Sequence, residues 1–120
     1  MSKKTLVLGA STKPSRYSYV AIKRFLEKDI EVRAIGLRNG SVGSVPIETD
    51  KPDFKDIDTV TLYLNARRQT EYYDYIISLK PKRVIFNPGA ENDEFVELLT
   101  ENNIKAEVAC TLVMLSVDAY

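Results

Sequence analysis

Thr5-Leu6-Val7-Leu8-Gly9-Ala10-Ser11-Thr12-Lys13-Pro14-Ser15-Arg16-Tyr17-Ser18 is the stretch on which the fold turns. Four strand-forming residues end at a glycine, and a polar loop of mostly small residues follows. From Ser18 the apolar spacing becomes helical: Ala21, Ile22, Phe25 and Leu26 share one face of a helix predicted over Ser18 to Lys28. Ser18 is placed to cap that helix, its hydroxyl accepting a bond from a first-turn N–H. A strand passing through glycine into a helix opens a βαβ unit, whose strands run parallel.

The alternation continues. A second strand is expected over Ile30 to Ile35, followed by a Gly/Ser-rich loop from Asn39 to Pro46 and the short run Val45-Pro46-Ile47. A third strand, Thr59 to Leu64, leads into a helix from Arg67 to Leu79 that Pro81 stops. A fourth strand, Arg83 to Phe86, precedes a helix from Asp93 to Glu101 with Asn92 or Asp93 as its cap. The fifth strand is Ile104 to Ala109, and Cys110 to Tyr120 reads as a short apolar tail. The expectation is a single α/β domain over residues 1–120: a Rossmann-like five-stranded parallel sheet, order 3-2-1-4-5, with helices on both faces. The winding then reverses between strands 1 and 4. Ligands bind outside the carboxyl ends of the strands at such a point, here between Gly9–Ser18 and Asn87-Pro88-Gly89-Ala90.

The chain has 120 residues, 17 Lys plus Arg, 17 Asp plus Glu, one cysteine and no histidine. A core of this size needs no disulfide or metal staple. Without histidine there is no Ser-His-Asp triad, no His-based zinc site and no phosphohistidine chemistry. No metal site and no catalytic residue is expected, and the balanced charge argues against a nucleic-acid partner. A lone cysteine fits a reducing compartment. No apolar run reaches the roughly 20 residues a membrane span needs, so a cytoplasmic location is expected.

The loop Gly9, Ala10, Ser11, Thr12, Lys13, Pro14, Arg16, Tyr17 and Ser18 combines small residues, hydroxyls and two cations ahead of a helix N-terminus. That suits a phosphate, although a ligand-free crossover loop has the same look. It matches neither a P-loop nor GxGxxG, since Ser11 and Pro14 stand where glycines would. The end of strand 2 discriminates further. NAD-binding domains place an acid there for the ribose hydroxyls; this chain has Ile35-Gly36-Leu37-Arg38. An arginine suits an extra ribose phosphate, as in NADP or coenzyme A, or is simply a solvated surface cation. Arg67 and Arg68 stand in a first helical turn, where the dipole disfavours cations unless an anion is near. Lys13, Arg16, Arg38, Arg67 and Arg68 all map to the carboxyl edge of the sheet.

Gly9-Ala10-Ser11 followed by Pro14, Arg16 and Ser18, with Gly89-Ala90-Glu91-Asn92 after strand 4, resembles the small stand-alone CoA-binding domain family. That family is similar to the CoA-binding domain of the succinyl-CoA synthetase α subunit, and the resemblance covers nearly the whole chain. It implies coenzyme A as ligand, with the CoA phosphates on Gly9 to Arg16 and the first turn at Ser18. Ile35, Gly36 and Leu37 would line the adenosine, and Arg38 would meet the 3′-phosphate. Asn65 and Ala66 would border the adenine, Asn87, Pro88 and Gly89 would follow the pantetheine arm, and Arg67 and Asn92 would count among the cofactor-binding residues. Cys110, on the same edge, is either a contact for the CoA thiol or a buried small hydrophobe. Tyr72, Tyr73 and Tyr75 suggest a homodimer surface or ordinary half-buried packing. The resulting expectation is a module that binds CoA or an acyl-CoA without independent catalysis, the alternative being an NADP-binding oxidoreductase-type domain.

Overall fold

A computed structural model describes residues 3–120. The first strand, β1 (Thr5–Ala10), leads through the loop into α1 (Tyr17–Glu27) and back to β2 (Val32–Gly36). A hairpin of β3 (Gly40–Val42) and β4 (Val45–Glu48) follows, then β5 (Thr59–Leu62). Beyond it lie α2 (Ala66–Gln69), a 3₁₀ turn (Thr70–Tyr72) and α3 (Tyr73–Leu79). The chain continues as β6 (Arg83–Phe86), α4 (Asp93–Glu101), β7 (Lys105–Val108) and α5 (Thr111–Ser116). The sheet is seven-stranded in the order β3-β4-β2-β1-β5-β6-β7, parallel throughout except for the β3–β4 pair.

The Rossmann-like parallel sheet is as expected, but its strand assignment needs correcting. The hairpin occupies the third position beside β2, so Thr59–Leu62 lies next to β1 rather than outside β2. The supposed Gly/Ser-rich loop is therefore two strands. The reversal of winding falls between β1 and β5, one strand nearer than the Arg83–Phe86 segment expected there.

Alternation along β1 sends successive residues to opposite faces. Leu6 and Leu8 join Leu62, Val84, Phe86, Ile76, Phe95 and Leu99 under α3 and α4. Val7 joins Ala21, Ile22, Phe25, Ala34, Ile47 and Leu115 on the other face. Phe95 packs edge-on to Phe86 and stacks against Tyr73, whose ring centroid is 4.3 Å away. The apolar tail is the helix α5, which lies against α1. After it, Tyr120 sets its ring edge-on to Phe25, bonds the Thr5 hydroxyl and lies beneath the Arg83 guanidinium. The tyrosines of the expected dimer surface are otherwise engaged. Tyr72 is buried, Tyr73 stacks on Phe95, and the Tyr75 hydroxyl donates to the Pro52 carbonyl at 2.6 Å.

Candidate functional site

The β1–α1 loop is shaped by two local bonds. The Lys13 N–H donates to Ser11 Oγ at 3.1 Å, and the Arg16 N–H to the Lys13 carbonyl at 3.0 Å. Helix α1 begins at Tyr17, with Arg16 in the N-cap position and no side chain capping its first turn. Ser18 is therefore not the cap: its side chain is buried, and only its backbone can serve the loop. The uncapped first turn leaves amide donors at the mouth of the loop, which is what an anion requires.

Two glycines let the strands close there. Gly9 has φ +98°, a left-handed value that disfavours side chains, and a Cβ on it would lie 3.0 Å from the Tyr63 backbone. A Cβ on Gly36 would lie only 2.3 Å from the Ala10 carbonyl oxygen, where the β1–β2 register shifts. Gly9, Ile35, Gly36 and Leu37 together with Leu64, Arg68, Glu71 and Tyr72 line one cleft at the carboxyl edge. Leu64 and Tyr72 escape a sequence reading because each looks like ordinary core; only the position of β5 beside β1 brings them here. Arg68 is visible as part of the cationic turn. Leu37 and Tyr17 are 70% and 74% exposed, two apolar side chains held out at the rim.

Charge is distributed unevenly. Ion pairs gather at the amino edge, among them Arg33–Glu31 at 2.8 Å, Lys4–Glu31 at 3.7 Å and Lys82–Asp58 at 3.9 Å. Lys13, Arg16, Arg38, Arg67 and Arg68 are all exposed at the carboxyl edge. Among the described residues, none of these five lies within 4.0 Å of a carboxylate. Glu71 is the acid that lines the cleft. The loop with free amides, the close glycine-lined floor and the unpaired cations have the chemistry an anion requires, around a shallow cleft that encloses only about 10 Å³.

The second loop serves the fold more than the cleft. Asn87-Pro88-Gly89-Ala90 is a tight turn closed by the Ala90 N–H on the Asn87 carbonyl at 2.8 Å, with Gly89 at φ +93°. The buried Asn87 side chain donates to Thr61 Oγ1 at 2.7 Å and the Leu62 carbonyl at 2.9 Å, and accepts from the Thr111 N–H at 2.8 Å. Asn92 caps α4 through the Phe95 N–H and donates to Gln69 Oε1 and the Tyr73 hydroxyl. Gln69 in turn donates to the Leu64 and Ala90 carbonyls, tying the loops after β5 and β6 together. The side chains of Asn87 and Asn92 are thus spent on the scaffold, leaving Pro88 and Gly89 exposed. Asn65 caps α2 by accepting from the Arg68 N–H at 3.0 Å, and Ala66 and Arg67 form its first turn. Cys110 is half-buried just before α5.

Tyr63 follows β5, and its hydroxyl is buried without a hydrogen-bond partner. The nearby Thr61 and Thr111 hydroxyls bond each other at 2.8 Å. Burial pushes Tyr63 up to about 12. The folded state therefore holds this proton more tightly than the unfolded chain, whose tyrosines titrate near 10. The stability it contributes is complete below pH ~10 and is lost as pH rises through about 12. Tyr63→Phe is expected to leave Tm at neutral pH unchanged or higher, because an unpartnered buried hydroxyl is removed. It should also lessen the loss at alkaline pH. Thermal melts of both proteins at pH 7 and 11 check this; a lower Tm for the variant at pH 7 would contradict it.

The model of the CoA-binding domain family matches residues 3–116. The chain belongs to this family of CoA-binding domains. No curated protein matches it. Among solved structures, an uncharacterized protein is 47% identical with a TM-score of 0.97, the match covering 100% of this chain and 99% of that one. A protein of Thermus thermophilus is 18% identical at TM-score 0.86, covering 99% and 91%. A hypothetical protein of Pyrococcus horikoshii is 24% identical at TM-score 0.85, covering 97% and 83%. The last two are similar in fold. No helix of the described residues is long and apolar enough to cross a membrane.

Proposed function

We propose that this CoA-binding domain holds coenzyme A or an acyl-CoA at the carboxyl edge of β1, β2 and β5, as a binding module without a reaction of its own. The observation that carries the reading is the set of five cations without carboxylate partners around a glycine-lined cleft, in a chain of this family. The first-turn amides of α1, with Lys13 and Arg16, meet the diphosphate. The adenosine lies along Ile35, Gly36 and Leu37, bordered by Asn65, Ala66 and Arg67. Arg38, directly after that wall, takes the ribose 3′-phosphate, for which a guanidinium offers paired donors. The pantetheine arm leaves over Pro88 and Gly89 toward Cys110.

Substituting Arg38→Ala separates these contacts. CoA affinity should fall about 10- to 100-fold, the equivalent of losing a charge-assisted contact of ~1.5–3 kcal/mol. Dephospho-CoA, which lacks the 3′-phosphate, should bind wild type and variant alike. Titration calorimetry with both ligands reads the difference. Equal losses for the two would remove Arg38 from the assigned role.

A further inference from the structure

We propose that the open edge of β7 is a self-pairing surface, joining two copies of this chain through antiparallel β7 strands into one continuous sheet. This goes beyond the ligand reading and does not depend on it. β7 is the last strand of the sheet, with only β6 beside it. The Lys105 and Ala109 N–H groups donate to the Lys82 and Phe86 carbonyls on the β6 side. In a parallel pair the direction alternates with each residue, so the N–H and C=O of Ala106 and Val108 face the open edge. The edge is only four residues long and carries Lys105 and Glu107, which guard against indiscriminate pairing, so the strand that can add to it is one that answers these charges. β7 has no proline or glycine to discourage pairing, and Val108 at its end is 65% exposed.

The sequence of the strand selects its partner. Around a two-fold axis at Ala106, Ala106 meets its own copy through the outward-facing backbone groups. Lys105 then stands opposite Glu107, twice. Every pair is complementary, and opposite charges directly across an antiparallel pair attract. The two neighbouring registers that also match outward-facing groups set Lys105 against Lys105 or Glu107 against Glu107, and are disfavoured. Lys105 and Glu107 project to one face, where Glu107 already lies 3.6 Å from Lys105 and 3.4 Å from Arg83. Pairing with a second copy exchanges the Lys105–Glu107 contact within the strand for two such contacts across it, while Arg83 keeps Glu107 on the β6 side. The occupant that fits is a second copy of this chain.

Light scattering across a concentration series tests this. Wild type should approach twice the monomer mass as concentration rises into the submillimolar range. Ala106→Pro removes an outward N–H while sparing the β6 ladder, and should remain monomeric with an unchanged circular dichroism spectrum. Lys105→Glu and Glu107→Lys each place like charges opposite one another and should be monomeric alone. Mixed together, they restore opposite charges at both positions and should again double in mass. A wild type that stays monomeric throughout, an Ala106→Pro variant that still dimerises, or a mixture that stays monomeric would each overturn the proposal.

Discussion

Asn87→Ala is expected to lower stability by about 3–5 kcal/mol. One side chain joins three segments: it donates to Thr61 and Leu62 on β5 and accepts from the Thr111 N–H that starts α5. Its removal leaves a buried amide, a buried carbonyl and a buried hydroxyl short of a partner, at ~1–3 kcal/mol each, partly relieved by the Thr61–Thr111 bond. For a domain of this length the equivalent fall in Tm is roughly 10–30 °C. Chemical denaturation of the two proteins checks the magnitude. A loss below ~1 kcal/mol would mean that the three-way tie is unimportant.

Gly36→Ala carries the second large effect, and it reaches both stability and binding. A methyl at this position would stand 2.3 Å from the Ala10 carbonyl oxygen, which is backbone and cannot swing aside. The end of β1 must move, and overpacking of this kind costs about 1–3 kcal/mol. Ala10 is also where the β1–α1 loop begins, so the shift displaces the amides proposed to face phosphate. CoA affinity should fall more than about tenfold, or ~1.4 kcal/mol. Gly43→Ala supplies the control. Gly43 has φ +58° in the β3–β4 turn, where an added Cβ meets the end of the Leu26 side chain at 2.9 Å. It should lose about 0.5–1 kcal/mol of stability while CoA affinity stays at the wild-type value. Undiminished affinity in Gly36→Ala would detach the loop geometry from binding.

The parallel sheet and the place of the β1–α1 loop follow from short-range signals. β1 announces itself by four strand-forming residues before Gly9, and α1 by the spacing of Ala21, Ile22 and Phe25. The hairpin escapes notice because β3 has three residues and β4 contains Pro46, which argues against an interior strand. Pro46 is tolerated because β2 pairs with β4 only at Ile47 and Glu48. That omission shifts every later strand by one position, which placed the Asn87 loop at the switch point in place of the segment after β5. Helix α5 has a β-branched, poorly periodic sequence and is fixed instead by Thr111, bonded to Asn87 and Thr61 from 24 and 50 residues away. The roles of Asn87, Asn92 and Gln69 depend on partners at similar separations. Local spacing carries no record of such contacts.

In the proposed function, five unpaired cations, a glycine floor and an uncapped helix turn would hold a nucleotide with an extra ribose phosphate, and membership of the CoA-binding family makes coenzyme A the ligand to test first. The most direct test is the shift in Tm on adding saturating CoA, compared with NADPH under the same conditions. At 100 times its dissociation constant a ligand adds ~2.7 kcal/mol, worth roughly 8–16 °C in a domain of this length. A rise of that order is expected with CoA and little or none with NADPH. No rise with CoA, alongside a clear rise with NADPH, would contradict it.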